Sequence, residues 1–443
     1  MNLAPPHPPR ILLLAHSCNP EYGSDPGAGW NWARQLSKYF PVCVLCDEEY
    51  NRGAIEQFCS RHGSIENLTF AYVPAAKHDE WLRRIPATYY LRYRLWHGRA
   101  IQIARRLHEQ LNFDLVHQLN LNGFREPGYL WKLDAPFVWG PVGGAQNYPW
   151  RFVPSAGLAG AAQEVVRSAL NLWQAKVTRR IGLAARKAKV VLGASMVNAE
   201  AMARRSHRPA KVLLEIGVSP PPAPVERQFR HGGPLRILWS GVFEHRKALH
   251  LLFQALAALP KNIEFELQIL GRGPLEKRWR RIASQLQIED RCRWLGWLNH
   301  TEALDRFRWA DVFVFSSLRD TTGTVVLESL AAGTPIICFD HQGAGEVVTN
   351  NCGIKLPVTN PKDAVSRLAT TLQCCHEDRD MLERFSRGAY ERAQHYAWDR
   401  QGQRMAEIYR QVLGISDLQT IQSISAPAID HRLAEVGQPA SCS

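Results

Sequence analysis

The 443-residue chain has no uncharged apolar stretch of the roughly 18–20 residues that a membrane-spanning helix needs. Its N-terminal apolar run, Ile11–Ala15, is shorter than the roughly 7–15-residue core of a secretory leader. The expectation is a cytoplasmic protein. Cysteine is present but not in sets: ten are scattered along the chain, and one CxxC occurs at Cys43 and Cys46 inside the apolar run VCVLC. If that run is a strand, residues three apart point to opposite faces. No second cysteine pair and no histidine pair completes a zinc site, so no metal is expected and buried reduced thiols are. The G-x-G-x-x-G spacing of dinucleotide enzymes is also missing, because Gly27 and Gly29 are followed by Trp32. Acidic residues are scarce in the first half: residues 1–220 hold 27 Lys and Arg against 16 Asp and Glu, the remainder 27 against 25. No nucleic-acid motif accompanies the excess of +13, and nucleic acid is not expected as a partner. An anionic membrane surface or a phosphate-bearing substrate suits the charge.

What is present is alternation. Short apolar runs at 11–15, 42–46, 68–73, 114–119, 137–142 and 190–195 read as buried strands, separated by helix-like segments such as 99–111, where Ala100, Ile103, Ala104, Leu107 and Leu111 share a face. Residues 215–234 are rich in Pro and Gly and break the pattern. The alternation restarts at 236–241, 264–271, 292–297, 311–317, 334–340 and 353–357. A helix is expected at 249–259, another from Asn299 with Glu302 closing a capping box, and more over 376–413. This predicts parallel sheets covered on both faces. The expected domains are 1–217 and 218–395, then a helix over 396–413 crossing back to the first, and a loose tail over 414–443.

In SSLRDTTGTVVLESLAAGTPIICFD (316–340), a strand ends in a polar turn of Asp320, Thr321, Thr322 and Gly323. An apolar helix follows from Thr324, with Gly333 and Pro335 as stop signals. A turn before a helix N-terminus offers backbone N–H groups and the positive end of a dipole, a ready anion site. Gly323 lets a phosphate approach the backbone, and Glu328 could accept two hydrogen bonds from a ribose diol.

Asp320 and Glu328, seven residues between them, resemble the Glu–seven–Glu pattern of family-four glycosyltransferases of the GT-B fold. The resemblance implies that Glu328 grips the donor ribose and that Asp320, an Asp where the family carries Glu, lies by the transferred sugar. WSGVFEHRKALHLLFQAL (239–256) is similar to that family's phosphate-binding stretch: Gly241 ends a strand, and Lys247 with its neighbour Arg246 matches the cations that neutralise the donor diphosphate. Val242 stands where a second phosphate-binding Arg is usual. EYGSDPGAGWNWARQLSKYF (21–40) resembles the family's glycine loop, with Gly27, Ala28 and Gly29 leading into a helix near Trp30. DLVHQLNLNGFREPGYLWKLDAPFVWGPVGG (114–144) resembles a stretch of members that build bacterial surface polysaccharides, and implies a place for His117 near the sugar.

The family implies two Rossmann-like, doubly wound α/β domains facing across a deep cleft. It implies a retaining, metal-independent hexosyl transfer from a UDP- or GDP-sugar to a glycan or lipid-linked acceptor, catalysed with Lys247, Asp320 and His117. The alternative is a non-catalytic GT-B subunit that binds a nucleotide sugar or a partner transferase. Arginines and aromatics mix in WLRRIPATYYLRYRLWHGR (81–99), and further basic residues follow over 179–189. Peripheral contact with an anionic membrane is expected there.

Overall fold

The computed structural model describes residues 7–85, 88–120, 123–224, 227, 229 and 231–415. They form two compact units. The first takes in the described residues up to Ala145, then Thr178–Ile216 and those from Trp398; the second is Gln146–Val177 with Gly217–Ala397. The tail expected over 414–443 lies outside the described residues from position 416 on.

In the first unit seven strands run β1 (Ile11–Ala15), β2 (Val42–Asp47), β3 (Leu68–Val73), β4 (Leu115–Asn120), β5 (Phe137–Val142), β6 (Val190–Gly193) and β7 (Lys211–Val212). Their order in the sheet is β3-β2-β1-β4-β5-β6-β7, parallel throughout. In the second unit β8 (Leu235–Ser240), β9 (Phe265–Leu270), β10 (Cys292–Gly296), β11 (Val312–Phe315), β12 (Ile336–Phe339) and β13 (Gly353–Leu356) are ordered β10-β9-β8-β11-β12-β13, again parallel. Each sheet therefore reverses direction once, at β1/β4 and at β8/β11. In open sheets of this kind ligands bind beyond the carboxyl ends of the strands at that reversal.

The apolar runs make strands because helices cover both faces: β1, β2 and β5 are buried along their whole length. The strand β7, absent from the sequence reading, is a two-residue exposed edge with no apolar run to announce it. Cys43 and Cys46 are buried free thiols on β2, and burial pushes Cys43 up to about 11. The Asn299–Glu302 capping box forms as the spacing suggests, starting the helix His300–Trp309.

Three placements differ from the sequence reading. The helix expected from Trp30 begins six residues earlier, at Ser24. Asp25 and Pro26 in the first turn suit a helix start, so Gly27, Ala28 and Gly29 are helical residues rather than a loop. Gly27 is needed there because a Cβ would lie 2.3 Å from the Tyr22 carbonyl oxygen. Residues 146–177, expected in the first domain, group with the second unit. The region read as helical over 376–413 is three helices, Pro361–Glu377, Arg379–His395 and Trp398–Leu413. The last packs on Ser24–Ser37 in the first unit, with Lys38 paired to Asp399 at 2.6 Å and Trp32 edge-on to Trp398 at 5.5 Å.

Candidate active site

The loops after β8 and β11 meet at the reversal point of the second sheet. After β8 the chain turns at Gly241, where a Cβ would sit 3.3 Å from the Trp239 ring and 3.5 Å from the Lys247 side chain. The turn 271–273 braces it from behind. Phe243 N–H donates to the Arg272 carbonyl at 2.8 Å, and Gly271, at φ +129°, could carry no side chain because Gly241 O would be 1.9 Å from its Cβ. A short 3-10 turn, His245–Lys247, then leads into the helix Leu249–Ala257. Val242 is part-exposed and carries no charge into the site.

Lys247 is buried, and its ammonium pairs with the Asp320 carboxylate. Arg246 reaches the same carboxylate at 3.5 Å and is held by Glu244 at 2.6 Å and by the Arg319 carbonyl at 3.2 Å. Burial alone would raise the Asp320 carboxyl, but the charges of Lys247 and Arg246 outweigh it and hold it below the usual range. The Asp320 amide donates to Gln342 Oε1 at 2.8 Å, and Gln146 donates to the Thr321 hydroxyl at 2.8 Å. Thr322 is fully buried beneath the turn. Gly323 takes φ +85°, which a side chain would strain, and a Cβ there would meet Phe315 at 3.0 Å. The helix Thr324–Ala331 starts at the next residue.

Glu328 lies in the second turn of that helix, its side chain 16 % exposed and 3.6 Å from His300 Nδ1. Burial pushes its carboxyl up to about 7. The second unit thus brings Gly241, Arg246, Lys247, Asp320, Thr321, Thr322, Gly323, Thr324 and Glu328 into two adjoining loops and one helix start. The arrangement can take an anion against two fixed cations and a helix N-terminus, with a carboxyl nearby for a hydroxyl pair.

Sequence reading missed Glu164. It sits on the helix Gly157–Val177 with a side chain 0 % exposed, bonded to Arg319 at 2.8 Å and to His245 Nε2 at 2.8 Å. Burial would raise its carboxyl, but His245 and Arg319 hold it at about 2. His245 and Arg319 adjoin Arg246 and Asp320 in the chain, so Glu164 fixes both loops at once. The only local signal was a lone acid in an otherwise Ala- and Val-rich helix.

In the first unit His117 departs from expectation. It is 0 % exposed in the middle of β4. Its Nε2 faces the Gly140 carbonyl and so carries the proton; its Nδ1 accepts from the Tyr409 hydroxyl of the last helix. Burial holds the ring at about 4, neutral at physiological pH. Both nitrogens are occupied, so His117 fastens the C-terminal helix to the sheet and presents nothing to a substrate. Several arginines of the basic stretch expected over 81–99 have carboxylate partners, while Trp81, Tyr89 and Tyr90 are exposed. Arg83, Arg94 and Arg99 pair with Glu49, Glu126 and Asp79, and Arg84 lies 3.7 Å from Glu80. Among the described residues no cluster of three or more His, Cys, Asp or Glu could hold a metal ion. No described helix is long and apolar enough to cross a membrane.

Residues 225–392, which include both loops, match the family described as glycosyl transferases group 1. Over this segment the chain is similar to group 1 glycosyl transferases. The chain is 31 % identical over 183 residues to a glycogen synthase of Mycobacterium tuberculosis, covering 40 % of this chain and 42 % of that one. It is 29 % identical over 170 residues to the putative colanic acid biosynthesis glycosyltransferase WcaL of Escherichia coli, covering 37 % and 41 %. The matched stretch thus spans about two fifths of the length of these relatives. Among solved structures, the lipopolysaccharide outer core galactosyltransferase WaaB aligns with a TM-score of 0.61 at 13 % identity, over 90 % of this chain and 99 % of that one. Anabaena HepE, solved with UDP and glucose, aligns at 0.57 and 16 %, over 91 % and 100 %. The matched segment therefore sits within a GT-B fold of two Rossmann-like units.

Proposed function

We propose that the chain transfers a hexosyl unit, with retention, from a UDP- or GDP-sugar to a glycan or lipid-linked acceptor in bacterial surface polysaccharide synthesis. The observation that carries this is the pair Lys247 and Arg246 against the Gly323 helix start, with Glu328 one turn further on. Charge develops on the diphosphate as the sugar–phosphate bond breaks, and preorganised cations and N–H groups stabilise it without reorganising. Glu328 accepts from the ribose diol. Asp320, beside both cations, exchanges part of its pairing for the sugar hydroxyls when the diphosphate arrives. The fixed cations do the neutralising, so activity is expected to survive chelation of divalent metal.

A donor panel tests the proposal, reading thermal shift and slow donor hydrolysis with and without EDTA. Stabilisation by one nucleotide sugar that is also consumed supports it; no stabilisation by any sinks it, since a bound ligand must shift the transition by mass action. A second reading, a non-catalytic subunit, is favoured by one feature: Asp320 already occupies Lys247, and Val242 adds no charge. It expects a donor that binds and is never consumed, even with membrane extract as acceptor.

Membrane contact belongs to the same proposal, but its support has moved from residues 81–99 to the helix Gly157–Val177. That helix turns Glu164 inward and leaves Leu158, Val165, Val166, Leu170 and Trp173 exposed. Trp150, also exposed, lies just before it with Arg151 stacked on its ring at 5.3 Å. Tryptophans with an arginine beside an apolar row suit the interface of an anionic leaflet. Co-sedimentation with phosphatidylglycerol vesicles, lost in Leu158→Asp/Trp173→Asp, is expected; no co-sedimentation of the unsubstituted chain overturns this part.

A further inference from the structure

The turn 320–323 is also held by the segment that follows β12, and that segment carries a strained residue. Gln342 has φ +55°, a left-handed conformation that glycine adopts freely and a glutamine does not. It is 8 % exposed. With the backbone so turned, its side-chain amide spans two backbone groups. Oε1 accepts from the Asp320 N–H at 2.8 Å, and Nε2 donates to the Asn147 carbonyl at 2.9 Å. Nε2 also lies 2.6 Å from His341 Nε2. Burial lowers the His341 pKa and so favours the neutral ring, whose free nitrogen can accept. The next residue, Gly343, lies against the turn itself: a Cβ there would run into the Thr321 carbonyl oxygen.

The other end of the bridge is fixed as well. Asn147 Oδ1 accepts from Asn171 at 3.0 Å. The Gln146 carbonyl accepts from Arg167 at 3.2 Å, and its side chain donates to the Thr321 hydroxyl at 2.8 Å. Asn171 and Arg167 stand on the helix Gly157–Val177, and all these residues belong to the second unit. The turn 320–323 is thereby clamped between that helix's partners and the segment after β12.

A disfavoured backbone conformation persists where its surroundings over-determine it, and such residues concentrate where geometry serves function. What is fixed here is the peptide that carries Asp320. Anchoring its N–H sets the direction in which the side chain leaves the backbone, and so where the carboxylate reaches.

We propose that Gln342 is a positioning residue for the transferred sugar, its amide orienting Asp320, while Lys247, Arg246 and Glu328 serve the diphosphate and the ribose. This role rests on the transferase reading.

Gln342→Gly and Gln342→Ala provide the test, because both delete the amide and only glycine relieves the backbone. In the ligand-free full chain the Asp320 amide should exchange about tenfold or more faster in both variants. Affinity for UDP and for GDP should stay within about threefold of the unsubstituted chain. UDP-glucose, UDP-galactose, UDP-N-acetylglucosamine and GDP-mannose serve as donor probes. Hydrolysis of the one consumed should fall about tenfold per folded molecule in both variants, in kcat rather than KM. The unfolding midpoint should be higher in Gln342→Gly than in Gln342→Ala. Full hydrolysis in Gln342→Gly, with a loss only in Gln342→Ala, would make backbone conformation the requirement and overturn the role of the amide. An Asp320 amide that exchanges no faster, or UDP affinity that falls as far as hydrolysis, also overturns it. If the amide responds but the unsubstituted chain consumes none of the four donors, the transferase reading fails and Gln342 is a brace with no part in transfer. If a donor is consumed and both variants keep full hydrolysis, only the role of Gln342 fails.

Discussion

Beyond β8 and β11 the charged groups of the second unit are matched by neighbours of opposite sign: Lys247 and Arg246 on Asp320, Arg319 and His245 on Glu164. Beyond β1, β2 and β3 the first unit pairs Arg83 and Arg99 but leaves Arg92 and the Trp96 N–H without partners. The same strand order therefore carries two kinds of site. One is preassembled by internal ion pairs. The other keeps buried donors without partners among the described residues. Charges fixed in advance suit the stabilisation of charge in a transition state.

Substitutions can break this contrast, and the largest effect is expected at Lys247. Lys247→Ala should lower donor turnover per folded molecule by about 100-fold or more, about 2.7 kcal/mol of transition-state stabilisation. A loss within about threefold, under 1 kcal/mol, would remove Lys247 from the chemistry. Next is Glu164→Gln, which leaves Arg319 and His245 short of a buried partner. Denaturant unfolding should show a loss of about 3 kcal/mol, and UDP affinity should fall less than in Lys247→Ala. An unchanged midpoint would mean that Glu164 does not hold the loops.

His117→Phe sharpens the contrast from the other side. It removes two buried hydrogen bonds, so stability should drop by about 2 kcal/mol while turnover per folded molecule stays within about twofold. A large loss of turnover in stable protein would restore the catalytic role that the sequence suggested.

The effect of Glu328→Gln should show in pH dependence. If the ribose diol donates to the Glu328 carboxylate as proposed, donor affinity should rise as pH increases through about 7, where Glu328 ionises. In the ligand-free protein the sign reverses. The raised group contributes stability that is complete below the ordinary glutamate value of 4.5 and is lost as pH rises through about 7. Glu328→Gln should therefore flatten the affinity profile and raise ligand-free stability above pH about 7, by at most about 3 kcal/mol. Identical pH profiles in the two proteins would contradict the ribose assignment.

The difference between the units also explains what could be read from sequence. The loops after β8 and β11 are contiguous: each follows a buried strand by a few residues, so 239–247 and 316–328 can be recognised as strand, turn and helix start. Apolar runs set the strands within a residue or two because both faces are covered. An open cavity of the first unit is assembled from four segments between His16 and Arg99, and no spacing in the sequence reveals that they meet. Glu164 works through contacts more than 80 residues away in the chain. His117 looked functional because its stretch resembles that of family members with a histidine near the sugar; its partner Tyr409 lies 292 residues on. Arg83, Arg94 and Arg99 within 81–99 have carboxylate partners that the sequence does not show.

The most direct measurement of the central claim is backbone amide hydrogen exchange with and without saturating UDP. The diphosphate is expected to protect the amides of 242–249 and of 320–326, the turn and helix start at Gly323, and to leave the segments around His16–Asn51 and Tyr89–Arg99 unchanged. Protection confined to those first-unit segments, or none in either unit, would contradict the placement of the donor on the loops after β8 and β11.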